Sequence, residues 1–344
     1  MLTGPGSEEG AQAGRTEGPL VSVIVPVYNS ADQLALCLEA IQQSDWPAFE
    51  CIVIDDASTD PAIAEIAGRY GVRYQRMAER KGPGLARNAA LGIANGQFVF
   101  FCDADVLLHP GTLRQAVKLL ESEPGVAAVI GSYDDRPADS SFLSQYRNLY
   151  HHWNHQIAGE EASTFWTGCG GIRKSVLSQV GGFSSRYPEP SIEDIELGYR
   201  MREAGHRIRL LKTMYGTHLK RWHFWEMVRT DIFQRGAPWV ELLLLHRSVP
   251  WDLNLNSSAR LATAAAALLP FSLLSVLVVN PLISLFSTLS LVALIVLAQK
   301  SFYRLLLERK GFAFACAVVP MQVVFFMGCA LALPLGCLSY LRRR

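Results

Sequence analysis

The chain has 344 residues, half of them hydrophobic, with a mean hydropathy of +0.16 and a net charge of +1. Charged residues make up 18%, below the roughly 25% of ordinary soluble domains, and the near-neutral balance gives no sign of a nucleic-acid partner. The seven cysteines are scattered without a Cys-x-x-Cys pair, so neither a zinc site nor a disulfide framework is indicated.

Residues 1–19 are rich in Gly and Glu and have no apolar h-region. They read as a disordered leader, not a signal peptide, which leaves the soluble part in the cytosol. Val21 to Val27 is a β-branched run, the pattern of a buried parallel strand. Leu34, Leu38 and Ile41 then recur at helical spacing until Trp46-Pro47. Glu50–Ile54 is a second strand ending in Asp55-Asp56, followed by a helix over Ala62–Tyr70 and a short strand at Arg73–Gln75. Gly84–Ala94 is helical, and Phe98–Cys102 is a strand ending in Asp103-Ala104-Asp105. This alternation predicts an α/β fold with a mostly parallel central sheet. Its acidic signatures fall at the carboxyl ends of strands, where such sheets bind ligands.

Further along, Pro110–Leu120 reads as a helix, Val126–Gly131 as a strand and Asp134–Ser141 as a surface loop. Tyr146–Ile157 reads as a helix with a polar face of His151, His152 and His155. Thr167-Gly168-Cys169-Gly170-Gly171 is expected to be a flexible strip that either lets backbone approach a sugar or is simply a turn, Ser191–Ala204 a helix opened by a capping box, and Arg207–Thr213 a strand. The domain is drawn over residues 20–220. Four of the seven Trp (Trp222, Trp225, Trp239 and Trp251) follow, interleaved with Lys220, Arg221, Arg229 and Arg235. This suits amphipathic helices at a membrane interface over residues 221–259.

No charged residue occurs from Leu261 to Gln299 or from Phe312 to Leu341, and each run exceeds the roughly 20 residues of a spanning helix. A transmembrane region is drawn over residues 260–341, with spans at about 261–279, 282–299 and 312–340. The first run is expected to be a hairpin broken at Asn280-Pro281. Lys300, Arg304, Arg309 and Lys310 place the next linker on the cytosolic side. The last run is open. One span would put Arg342-Arg343-Arg344 outside, against the positive-inside tendency, whereas a pair broken at Pro320 or Pro334 would leave two short halves.

Asp103 and Asp105, two residues apart at a strand end, suit one hard divalent cation, Mg²⁺ or Mn²⁺, bridging diphosphate oxygens. Asp55-Asp56 either accepts hydrogen bonds from a base or ribose or forms a turn with Ser58 and Thr59. Arg87 either faces a diphosphate or is a surface arginine. Gly82-Pro83-Gly84 leading to Arg87 is not a dinucleotide fingerprint. Asp194 either helps to start its helix or removes a proton from an acceptor, and the two are compatible. Glu196 and Arg200 are spaced for a structural ion pair. His218 either completes a metal shell, contacts phosphate or is structural.

In this order the residues resemble the family-2 glycosyltransferases of the GT-A fold. The resemblance rests on Val21 to Asn29, Val53 to Asp60, Ala86-Arg87-Asn88, Phe101 to Asp105 and Glu193 to Leu197, and covers residues 20–220. It implies that Tyr28 and the Asp55-Asp56 pair hold the nucleotide base and ribose, that Asp105 ligates Mn²⁺ or Mg²⁺, and that Asp194 is the base of an inverting displacement. From the residues themselves, Pro26, Asn29, Arg87, Asp103 and Ala104 are drawn with the nucleotide-sugar site, Asp103 and His218 with the metal, and Glu193 with the base. Processive members carry Gln-x-x-Arg-Trp after the base, and Gln234 to Trp239 does not match it. The expectation is a cytosol-facing, multi-pass enzyme of the inner membrane. It would move one sugar from a UDP-sugar or GDP-mannose to a membrane lipid or polyprenyl phosphate. A processive synthase and an inactive membrane scaffold are the alternatives.

Overall fold

The computed structural model describes residues 18–247 and 253–343. Nearly all of the leader, and Trp251 of the expected interface, lie outside the described residues. The first strands form as expected: β1 (Val21–Val27), β2 (Phe49–Asp55), β3 (Arg73–Arg76) and β4 (Phe98–Cys102), connected by α1 (Ala31–Gln42), α2 (Ala62–Arg69) and α3 (Pro83–Leu91). Every residue of β1 is buried. Val21, Val23, Val25 and Val27 join the core on one face of the sheet, and Ile24 joins the core on the other. Burial on both faces is why the strand reads as an unbroken apolar run.

After β4 come β5 (Val106–Leu108), α4 (Thr112–Ser122), β6 (Val126–Tyr133), α5 (Phe142–Ile157), β7 (Glu161–Ala162), β8 (Cys169–Arg173), α6 (Lys174–Val180), α7 (Glu193–Glu203) and β9 (Arg207–His218). The nine strands form one sheet in the order β3-β2-β1-β4-β8-β6-β9-β5, with β7 on β9. It is mixed, not mostly parallel. Parallel pairs join β1 to β2 and β4, β2 to β3, and β6 to β9. Antiparallel pairs join β8 to β4 and β6, and β9 to β5 and β7.

The correction centres on the glycine strip. Cys169 to Gly171 is not a flexible turn but part of β8, an inner strand. Its glycines serve close packing: a Cβ on Gly170 would lie 2.3 Å from the Trp166 carbonyl oxygen. The capping box is also absent, because α7 starts at Glu193 and its N-cap is Ile192. The histidines of α5 do not form a polar outer face. His152 and His155 are buried, with their Nδ1 atoms on the Tyr133 and Gly131 carbonyl oxygens of β6.

Helix α7 is pressed against the chain before β8. A Cβ on Gly198 would lie 2.2 Å from the Phe165 backbone nitrogen, so Gly198→Ala is expected to lower stability by about 1–3 kcal/mol through overpacking. Thermal unfolding of the variant beside the wild type checks this, and an unchanged midpoint would refute it.

Beyond β9 lie α8 (Phe224–Arg229), a π-helical segment at Thr230–Gly236, and α9 (Ala237–His246). Trp222 is buried and Trp225 exposed, so the tryptophans do not all face outward. The tail forms α10 (Ser257–Leu274), α11 (Pro281–Ala298), α12 (Lys300–Lys310) and α13 (Phe312–Arg342). The hairpin turns at Asn280-Pro281 as expected. The last run is one continuous helix through Pro320 and Pro334. Among the described residues, three helical stretches, Ser257–Leu277, Pro281–Ala298 and Phe312–Arg342, are long and apolar enough to cross a membrane.

Candidate functional site

In the strand order β2-β1-β4, the connection reverses direction between β1 and β4, the place where open α/β sheets bind ligands. Pairing of β1 with β4 ends at Ile24 and Phe101. Pro26 lies just beyond, still inside β1 and buried, at a point where a missing backbone donor is tolerated because the strands are parting. Tyr28 is 38% exposed, and the Arg80 guanidinium stacks 4.3 Å from its ring centroid. The pair makes an aromatic and cationic platform at the carboxyl end of β1. Asn29 adopts a left-handed conformation, φ 49°, and its Oδ1 accepts from the Thr59 backbone N–H at 2.8 Å. It ties the loop after β1 to the loop after β2.

The Asp55 and Asp56 carboxylates are already engaged by the protein. Asp55 accepts from the Ser58 N–H at 2.7 Å and from the Tyr74 hydroxyl at 2.8 Å, while Asp56 accepts from the Lys81 and Gly82 N–H groups at 2.8 Å each. Both the turn reading and a shared wall for a nucleoside fit, since each oxygen has a second lone pair.

Arg87 is not a surface arginine but a buried bracket, 2% exposed. Its Nη2 donates to Asp103 Oδ1 at 2.6 Å and its Nη1 to Glu193 Oε1 at 3.1 Å. Burial works against its charge, but Asp103 and Glu193 outweigh it and hold the guanidinium pKa up. Asp103 therefore turns one oxygen to Arg87, and burial raises its pKa. Asn88 exchanges hydrogen bonds with the Phe183 backbone at 2.8 Å each way, fixing the segment that leads to α7.

Asp194 lies at the start of α7. Its Oδ1 accepts from the Ile195 N–H at 2.8 Å, and its Oδ2 from the Thr167 N–H at 3.2 Å. Burial and then the neighbouring Glu193 push it up to about 6. Glu196 pairs with Arg200 at 2.7 Å, as its spacing predicted.

Asp105 and His218 come together from β5's lead-in and the end of β9, with His218 Nε2 3.3 Å from Asp105 Oδ2. Burial would raise the Asp105 pKa, but His218 outweighs it and the group titrates low. His218 stacks flat on Tyr133, with ring centroids 4.4 Å apart, and its Nδ1 meets Asn148 Oδ1 at 2.8 Å. In that orientation Nδ1 faces Asn148 Oδ1 and Nε2 faces the Asp105 carboxylate. Ala104, between the two aspartates, is buried and brings no functional side chain. Among the described residues, no group of three or more His, Cys, Asp or Glu could hold a metal alone. A carboxylate beside an imidazole nitrogen does fit a divalent ion that draws its other ligands from a diphosphate.

Tyr133, just past the expected strand, and Asn148, within the expected helix, gave no signal in the sequence, and Thr167 was marked only as part of the glycine strip. Trp166 packs edge-on against Tyr133 at 4.8 Å. Burial keeps His151 well below its ordinary pKa and takes His155 down to about 4, so both are neutral at pH 7.

Residues 22–181 match the family model described as "Glycosyl transferase family 2". The uncharacterized glycosyltransferase YibD of Escherichia coli K12 is 37% identical over 94 residues, which is 26% of this chain and 27% of that protein. The chain thus matches about a quarter of YibD. The glycosyltransferase AglE of Haloferax volcanii is 25% identical over 236 residues, covering 67% of this chain and 76% of that one. Among solved structures, the mannosyltransferase PcManGT of Pyrobaculum calidifontis, in complex with GDP-Man and Mn²⁺, aligns with a TM-score of 0.56 at 21% identity. The alignment covers 95% of this chain and 88% of that one, a likeness of fold.

Proposed function

We propose that this chain, whose residues 22–181 match the family model of the family-2 glycosyltransferases, moves a single sugar, with inversion, from a nucleotide sugar to a lipid acceptor at the membrane surface. One arrangement carries this reading: Arg87 bridges Asp103 and Glu193, Asp194 follows Glu193 at the start of α7, and Asp105 faces His218. Asp194 is raised to about 6, where it can take a proton near neutral pH. Asp105 is held low beside His218 and stays anionic. Such a split separates the acid–base role from the charge-stabilising one.

In the proposed reaction the acceptor oxygen bonds to the anomeric carbon while the bond from that carbon to the diphosphate oxygen breaks. The diphosphate leaves with the bonding electrons. Where the acceptor is a hydroxyl, Asp194 takes its proton. A divalent ion, Mg²⁺ or Mn²⁺, held by Asp105 and His218 would neutralise charge on the departing diphosphate. Tyr28 and Arg80 offer a stacking surface to the base, and Arg87 positions Asp103 and Glu193 around the centre. The fold neighbour's GDP-Man makes GDP-mannose a first donor to test beside UDP-sugars. The hairpin and helix α13 support a lipid acceptor.

The test is transfer from a panel of radiolabelled nucleotide sugars to extracted membrane lipid, with Mn²⁺ or with EDTA. Label in the organic phase that disappears with EDTA is the expected result. Label only in high-mass polymer would replace single transfer with processive synthesis. Absence of metal-dependent donor binding by folded protein would leave a scaffold.

A further inference from the structure

We propose that α13 does not cross the bilayer: it lies in the plane of the membrane surface beneath the catalytic domain, its outer face in lipid and both its ends on the catalytic side. The chain would then have two spans, α10 and α11. This rests on the membrane reading above and concerns how the chain meets the lipid.

The argument begins with what α13 touches. Its 31 residues extend roughly 46 Å at 1.5 Å each, and catalytic-side elements accompany them along the whole length. Near its start, Phe314 packs edge-on against Phe142 of α5 at 5.1 Å. At its middle, Gln322 is fully buried and donates to the Tyr146 hydroxyl of α5 at 3.1 Å. Farther on, a Cβ on Gly336 would lie 2.6 Å from the Ala237 carbonyl oxygen of α9, so the two backbones touch. The buried positions follow two adjacent lines along the helix, Ala315, Val318, Gln322 and Phe326 on the first and Gly328, Ala332 and Gly336 on the second.

Both ends are tied to the catalytic domain by charge. Just before α13, Arg309 pairs with Asp135, in the loop after β6, at 2.5 Å. At its far end Arg343 lies 3.4 Å from Glu241 of α9, and Glu241 also pairs with Arg186, in the loop between α6 and α7. A helix crossing the membrane would put these ends on opposite sides, and one catalytic domain cannot reach both. The same conflict arises at the middle. The buried pair Arg147–Asp231 packs against Phe325, and a spanning α13 would carry that ion pair to the depth of the hydrocarbon, where charge is strongly disfavoured.

The hairpin behaves differently. The first three turns of α10, Ala259 to Leu269, cluster with Phe326, whereas Leu277, Val278 and Phe286 near the hairpin's turn are 75–84% exposed. It projects away from the domain as a spanning hairpin should. The outer face of α13 adjoins its base, presents Phe312, Leu331, Leu333 and Leu341, and bears no charge from Phe312 to Leu341. A lipid surface is the partner of that chemistry. The placement also resolves the conflict in the sequence: Arg342 and Arg343 stay on the catalytic side, as the positive-inside tendency asks.

The test uses the full chain in sealed membrane vesicles of both orientations. Cys316 and Cys337, the exposed native cysteines, are replaced by Ser, and Ser122→Cys in the catalytic domain, Lys310→Cys and Arg342→Cys are made singly. A membrane-impermeant maleimide is expected to label all three in the same vesicle orientation. Labelling of Lys310→Cys and Arg342→Cys in opposite orientations would overturn the proposal, as would an Arg342→Cys shielded in both. Fluorescent-protein fusions at the two termini give a second reading without cysteine changes, and reporters on opposite sides would count equally against it. Release of the wild-type chain by carbonate washing would instead remove the membrane reading on which the proposal rests.

Discussion

Replacing Asp194 by Asn is expected to lower transfer to a hydroxyl acceptor by about 10²–10⁴-fold, the usual weight of a positioned general base. The substitution keeps size and the contact with the Thr167 N–H, but an amide has no basic oxygen. Turnover should fall while donor binding stays near wild type. The pH profile supplies an independent check. Burial, with Glu193 beside it, raises Asp194 to about 6, so below that value the base is protonated and idle. Turnover should decline about tenfold per unit as pH falls below 6, and the remaining activity of the Asn variant should lack this limb. A phosphate acceptor changes the expectation, because such an oxygen is already a nucleophile. Asp194→Asn with full turnover would therefore point to a polyprenyl phosphate. Loss of donor binding in the variant would instead make Asp194 part of the donor pocket.

What the sequence reveals and hides has physical causes here. β1, β2 and β4 are legible because a parallel strand covered on both faces needs apolar residues throughout. Their polar ends stand out for the same reason, which is how Asp55, Asp103 and Asp105 could be picked from the sequence. β8 is hidden because close approach of Trp166 and Phe165 demands glycine at Gly170, and glycine ordinarily signals a turn. With β8 unseen, the antiparallel half of the sheet could not be drawn. α5 misleads in the opposite sense. Its histidines look solvated in sequence, yet two of them find acceptors on β6 carbonyl oxygens. The candidate site is legible as a set of residue types but not as a set of pairings. Arg87 meets Glu193 across 106 positions and His218 meets Asn148 across 70, and no local pattern encodes such partners. The sequence therefore offered Arg87 to a diphosphate or to solvent and could not show the two carboxylates that it bridges.

That bridging leads to the second large effect. Arg87→Met is expected to destabilise the protein by about 3 kcal/mol at pH 7.5, because removing one partner of a buried ion pair strands the other charge. The value sits at the low end of the usual range, since the Asp103 side chain is one-third exposed while that of Glu193 is 7% exposed. The deficit should depend on pH with a definite sign. Burial raises Asp103 above its ordinary value even with Arg87 present, and losing the guanidinium raises it further. A carboxyl whose folded-state pKa lies above its unfolded value favours folding when protonated. Its support fades as pH rises through the folded pKa. The variant should therefore come closer to wild type at pH 5 than at pH 7.5, as read from thermal unfolding in detergent. Arg87→Lys should recover only part of the loss, because one ammonium cannot span both carboxylates as the planar fork does. The same guanidinium lowers Asp194, so the acidic limb of turnover in Arg87→Met should move to higher pH. Wild-type stability at pH 7.5, or a deficit equal at both pH values, would show that Asp103 and Glu193 find other partners and that Arg87 does not hold the centre together.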